Sequence, residues 1–144
     1  MEKKLVNLSE LIVDTSFLLP LAGIKVKGIE NDLLDGKTIY YPSLMLTELI
    51  AVIIKEAKKL KLSQIPEDAM KGLSYIISNV RLISLGQQDL GIIYEIINNG
   101  WNDIFDATLY SAYKSTGVPL ITMDKSFYEF LNRKGLDTNK IILI

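Results

Sequence analysis

The sequence predicts an α/β protein: a three-layer α/β/α sandwich around a central parallel sheet of four to five strands. Two observations predict it. Short apolar or β-branched runs alternate along the chain with longer segments of helical periodicity, the pattern of a parallel sheet covered by helices on both faces. The first run, Leu11-Ile12-Val13, is apolar without alternation, as expected of a strand buried on both sides. A length of 144 residues suits one such core. No repeat, low-complexity tract or linker interrupts the chain, so residues 1–144 are read as a single domain.

Strands are expected at 11–13, 38–41, 80–85, 119–123 and 141–144. The first long helix is expected over 43–62, with Ser43, directly after Pro42, as its N-cap. Further helices are expected over 66–79, 87–99, 103–115 and 125–134, the last closed by Gly135 as a C-cap. Parallel sheets bind ligands beyond the carboxyl ends of their strands, so the residues that follow each strand are where chemistry is sought.

Composition narrows that chemistry. The chain has no cysteine and no histidine. Disulfides, thiolate metal sites, histidine-based ribonucleases, triad hydrolases and zinc enzymes are therefore excluded. What remains is carboxylates, hydroxyls, lysines or a hard, oxygen-preferring metal. No apolar run reaches the roughly 18 residues of a membrane span. Met1-Glu2-Lys3-Lys4 leads into no secretory h-region, and a reducing, cytoplasmic setting is the expectation. The net charge of −1 argues against a nucleic-acid partner on its face. If four acids are set aside in a metal site, however, the remainder is basic. Lys55, Lys58, Lys59 and Lys61 cluster in one segment, and a solvated helix face accounts for them.

Four acids stand where such a sheet places its ligands. Asp14 ends the first strand and Asp124 follows Leu120-Ile121-Thr122-Met123; either is explained by capping the helical turn after it. Asp106 lies three residues after Asp103, so an Asp103 cap would put it at N3, where an acid suits the helix dipole. Asp103 itself reads first as that cap and second as an additional acid. Glu48 is harder to explain structurally. At 100° per residue, Leu44, Met45, Ala51 and Val52 fall within about 60° of its direction, a patch expected to face the core. No lysine or arginine lies three or four residues away, so the alternative to metal or catalytic use is a tertiary salt bridge to a distant base such as Arg81. Acids gathered at one sheet edge repel one another unless a cation neutralises them, and Mg2+ or Mn2+ is the natural ion for an all-oxygen site.

The segments LIVDTSFLL, PSLMLTEL, DIFDATLYSAY and PLITMDKSF resemble the four acidic motifs of the PIN-domain family. Their order, spacing and chain length are similar to those of VapC-type toxins of toxin–antitoxin pairs. The resemblance implies a PIN-like fold with Asp14, Glu48, Asp106 and Asp124 as metal-binding, catalytic acids. Ser16 and Thr122 match supporting polar positions, and Thr15 is the usual hydroxyl residue after the first acid. It further implies an endoribonuclease that hydrolyses RNA phosphodiester bonds through a metal-activated water. An antitoxin partner and a homodimer follow from the same resemblance. The apolar segments 44–57 and 90–97 are candidate surfaces for both, although core packing explains them equally well.

Three rival readings meet difficulties in the residues themselves. A receiver-type signalling domain needs adjacent acids after the first strand, and Asp14 has no acidic neighbour. A haloacid-dehalogenase-type phosphatase needs an acid at position 16, which is serine. A PIN-like module that binds RNA or protein without cutting would usually have lost an acid, and none is missing.

Overall fold

A computed structural model describes Leu5 and residues 7–144; Met1 to Lys4, which bear on the leader expectation, lie outside the described residues. Five parallel strands form one sheet in the order β3-β2-β1-β4-β5. They are β1 (Glu10–Val13), β2 (Thr38–Pro42), β3 (Arg81–Ile83), β4 (Leu120–Thr122) and β5 (Ile141–Leu143). The α-helices that flank it and lie wholly among the described residues are α1 (Leu46–Lys59), α2 (Glu67–Asn79), α3 (Gln87–Asn98), α4 (Ile104–Thr116) and α5 (Lys125–Arg133). The expected α/β sandwich with its central parallel sheet is the fold observed.

β1 is the central strand, with Leu11 opposite Ile39 on β2 and Val13 opposite Ile121 on β4. Leu11, Ile12, Val13, Leu120 and Ile121 are all fully buried, which is why these runs within β1 and β4 are continuously apolar rather than alternating. Chain order turns back on itself at β1, so the carboxyl ends of β1 and β4 flank the switch point where open α/β sheets form a crevice. No α-helix links β1 to β2. The crossover is made by 3-10 turns at Thr15–Phe17 and Leu19–Ala22 and an irregular stretch, tied back where Lys37 Nζ donates to the Leu8 carbonyl at 2.6 Å.

Two expectations for the segment after Pro42 need correction. Ser43 is not a cap: residues Ser43–Met45 form a 3-10 turn, and α1 begins at Leu46 with no side-chain cap on its N-terminus. The Glu48 patch does not face the core as a unit either. Met45 is buried, but Leu44 and Ala51 are exposed and Val52 is half-buried. The buried line of the helix is Leu49, Ile53 and Ala57, one residue round from Glu48. Glu48 therefore stands at the margin of the buried face, where the helix meets the crevice.

Other ends follow local chemistry as expected. Gly135 has φ 71°, and the pair Gly135 N–H to Asn132 O and Leu136 N–H to Leu131 O closes α5 in a Schellman turn. Lys55, Lys58, Lys59 and Lys61 are exposed, and none joins an ion pair among the described residues. One contact had no sequence signal. Asp89 at the start of α3 is buried and accepts from Gly86 N–H at 2.6 Å, Ser115 Oγ at 2.9 Å and the Ser111 hydroxyl, fastening α3 to α4.

Candidate metal centre

Asp14 directly follows β1 and sits between two adjacent elements. Its Oδ1 accepts from Ser16 N–H at 3.0 Å, which caps the turn Thr15–Phe17. Its Oδ2 accepts from Thr122 Oγ1 at 2.8 Å and Met123 N–H at 3.2 Å, both at the carboxyl end of β4. Burial nonetheless pushes the Asp14 carboxyl above its ordinary range, against the hydrogen bonds from Thr122, Met123 and Ser16.

Thr122 serves both strand-end acids. While its hydroxyl hydrogen goes to Asp14, its oxygen accepts from Asp124 N–H at 3.0 Å. Asp124 in turn caps α5, accepting from Phe127 N–H at 2.9 Å. Capping and membership of the crevice thus coexist in the same residue.

Glu48 reaches the crevice from the first turn of α1 and accepts from the Thr15 hydroxyl. Thr15 Oγ1 lies 2.7 Å from Tyr41 Oη, and Tyr41 donates to the Met45 carbonyl at 2.8 Å. Burial raises Glu48 above its ordinary value; Thr15 opposes that, and repulsion from Asp103 and Asp14 adds to it. The expected alternative, an ion pair to Arg81, is absent among the described residues.

Asp106 is held by a residue that sequence reasoning passed over. Trp101 Nε1 donates to Asp106 Oδ2 at 2.9 Å. Burial pushes Asp106 up to about 7, the Trp101 N–H opposes the rise, and repulsion from Asp103, Asp124 and Glu48 reinforces it. Asp103 is the cap it was expected to be, accepting from Phe105 N–H and Asp106 N–H, and its charge also bears on Glu48 and Asp106.

The five acids therefore share one electrostatic neighbourhood at the carboxyl edge of the sheet, assembled from four separate stretches of chain. The family model for the PIN domain matches residues 11–131, a span that holds all five. The chain belongs to the PIN-domain family. Comparison with curated proteins gives no match. Among solved structures, VapC20 of Mycobacterium tuberculosis, a sarcin–ricin-loop-cleaving toxin, is similar with a TM-score of 0.64 and 16% identity over 90% of this chain and 98% of that one. VapBC2 of Rickettsia felis, bound to a DNA fragment from its promoter, is similar with a TM-score of 0.62 and 17% identity over 94% and 97% of the two chains. PAE2754 of Pyrobaculum aerophilum is similar with a TM-score of 0.62 and 19% identity over 93% and 83%. At these identities the likeness is one of fold.

The donor chemistry of this PIN-domain crevice fits a hard divalent cation. Every candidate ligand is a carboxylate, Asp14, Glu48 and Asp106 are all raised, and no basic group figures among the causes for any of them. The positions are open rather than closed: among the described residues, no three acidic side chains converge tightly enough to enclose an ion. Each is drawn instead to its own donor, Asp14 to Thr122, Glu48 to Thr15, Asp106 to Trp101 and Asp124 to Phe127.

Sequence reasoning left Trp101 and Tyr41 out of the site and gave Thr15 no partner. A usable signal existed for Trp101 alone: an indole N–H drawn even partly out of water needs an acceptor, and Asp106 lies five residues on. Thr15 and Tyr41 meet 26 residues apart in the chain, so only the pairing of β1 with β2 brings them together.

Proposed function

We propose that this PIN-domain chain is a divalent-metal-dependent endoribonuclease, with residues 1–144 acting as one nuclease domain and as the toxin of a toxin–antitoxin pair. The observation that carries the reading is the grouping of Asp14, Glu48, Asp106 and Asp124 about the carboxyl ends of β1 and β4, with no lysine or arginine paired to any of them among the described residues. Asp106, a carboxyl held at about 7 by burial and repelled by Asp103, Asp124 and Glu48, is a charge defect that a cation would relieve. Asp14, Glu48, Asp106 and Asp124 would hold Mg2+ or Mn2+. A divalent ion bound there would supply Lewis acidity, making water a better nucleophile and offsetting negative charge on a phosphate. The chain's own groups orient the acids: Thr122 and Ser16 hold Asp14, Thr15 holds Glu48, and Asp103 keeps the N-terminus of α4 in place.

RNA is the proposed substrate, supported by the family and by a fold like that of a sarcin–ricin-loop-cleaving toxin. An antitoxin partner is supported by likeness to VapBC2, and a homodimer is proposed on exposed apolar side chains of two helices, Ile50 and Ile54 of α1 and Leu90 and Tyr94 of α3. Action in the cytoplasm accords with the reading; among the described residues no helix is long and apolar enough to cross a membrane.

A second reading is a PIN-like module that binds RNA or a protein without cutting it. The open arrangement of the acids favours it. Cleavage of end-labelled RNA with Mg2+, Mn2+ or EDTA decides between the two, with Asp106→Asn purified in parallel. Cutting that needs the metal and disappears in the variant establishes the nuclease. Equal cutting by both proteins indicates a contaminant. No cutting of a broad RNA set, with Mn2+ binding demonstrated, leaves the binding module.

A further inference from the structure

We propose that Trp101 is a positioning residue that sets the spacing between the acids at 106 and 124. The proposal rests on the reading of those two residues as metal-binding acids. The indole makes two kinds of contact at once. Its N–H donates to Asp106 Oδ2 at 2.9 Å, gripping the first turn of α4. Its ring lies 5.1 Å from Phe127 and 5.0 Å from Phe130, centroid to centroid, both on α5. The N-terminus of α5 is capped by Asp124 through Phe127 N–H. One rigid side chain thereby spans from one acid to the helix that carries the other. The two helices cannot separate at this end without breaking the aromatic contacts or the hydrogen bond.

The chemistry suits the role. A carboxylate with one oxygen committed to an N–H keeps its rotamer, and its remaining oxygen is presented in a fixed direction. Trp101 Nε1 engages only Oδ2 of Asp106; among the described residues Oδ1 accepts no hydrogen bond, and neither does Oδ2 of Asp124. Tryptophan is apt because its ring buries a large apolar area while the polar edge must still find an acceptor. Phenylalanine could fill the same aromatic cluster, so packing and hydrogen bond are separable by substitution. The residue is also the chain's one tryptophan, which makes its emission a reporter placed on Asp106.

The experiment uses the full chain and Mn2+ alone as the probe. Calorimetry and tryptophan emission are followed in the wild type, then calorimetry, melting temperature and RNA cleavage in Trp101→Phe. The expected result has three parts. Mn2+ changes wild-type emission saturably, at the concentration where calorimetry sees binding. Trp101→Phe binds Mn2+ about tenfold more weakly and loses kcat by a similar factor, with KM within about twofold. Its melting temperature stays near that of the wild type. A variant that binds Mn2+ and turns over like the wild type overturns the proposal. So does wild-type emission that ignores Mn2+ while calorimetry records binding, a test that does not depend on the variant folding. Absence of Mn2+ binding by the wild type in calorimetry would instead remove the metal reading itself, and the proposal with it.

Discussion

Thr122 Oγ1 donates to Asp14 Oδ2 at 2.8 Å, joining two residues 108 positions apart. The bond crosses from the end of β4 to the end of β1, and Asp124 N–H fills the acceptor side of the same hydroxyl. Replacing Thr122 by valine leaves a buried carboxyl without its nearest side-chain donor and the Asp124 N–H without an acceptor. Urea unfolding should show a loss of about 1–3 kcal/mol. Metal-dependent cleavage should fall with it, and Thr122→Ser, which restores the hydroxyl, should recover most of both. Unchanged stability in Thr122→Val would mean that Asp14 does not depend on this hydroxyl.

The raised acids set a pH dependence whose sign can be worked out. Asp106 moves from an ordinary 3.8 to about 7 on folding, chiefly through burial. A carboxyl of this kind favours the fold while protonated. Its contribution is complete below about pH 4 and is lost as pH rises through about 7. Asp14 and Glu48 shift in the same direction. For Glu48 burial is again the chief cause, and the hydroxyl of Thr15, which donates to it, opposes the rise. Melting without divalent ions should therefore be higher at pH 5 than at pH 8. Mn2+ should raise the melting temperature more at pH 8, where the ligands are already deprotonated. Asp106→Asn should weaken both effects.

At Gly72 the limit is space. A Cβ there would stand 2.1 Å from the Leu21 carbonyl oxygen and 2.7 Å from Ala22 Cα, because α2 crosses the 3-10 turn Leu19–Ala22 almost backbone to backbone. Neither neighbour is a flexible side-chain tip. Gly72→Ala should cost about 3 kcal/mol, near the upper end for overpacking, despite the better helix propensity of alanine. Chemical denaturation would measure it, and a neutral or stabilising result would refute the close crossing.

Asp89 presents the opposite case among the acids. Burial pushes its carboxyl up, yet the hydrogen bonds from Ser111, Gly86 and Ser115 outweigh burial and hold it below the ordinary range. Its stabilising contribution persists until the pH falls below the ordinary carboxylate range, outside the pH 5 to 8 window above. Asp89→Asn exchanges one acceptor oxygen for an amide and should destabilise the fold by about 1–3 kcal/mol. Metal-dependent RNA cleavage at temperatures well below melting should remain near wild type, since Asp89 joins α3 to α4 outside the acid crevice. A selective loss of activity with intact stability would count against this assignment.

The strands, the sheet type and the order of the acids could all be read from the amino-acid sequence. Leu11-Ile12-Val13 could be read because a strand buried on both faces admits few polar residues. Asp14 and Asp124 were legible because parallel sheets put ligands after their strands, and Asp103 because a cap is a local device. Their capping and their place in the crevice proved compatible, a point spacing alone had left open. Tertiary structure decided everything that depended on distant contacts. The Ser43 cap failed because the segment after Pro42 enters α1 through a 3-10 turn. Glu48 turned out to border the core, because helical periodicity gives a face and not what covers it. Which donor holds each acid, Thr15, Trp101 or Thr122, was likewise decided by strand pairing and helix packing, which bring side chains together without regard to their separation in the chain.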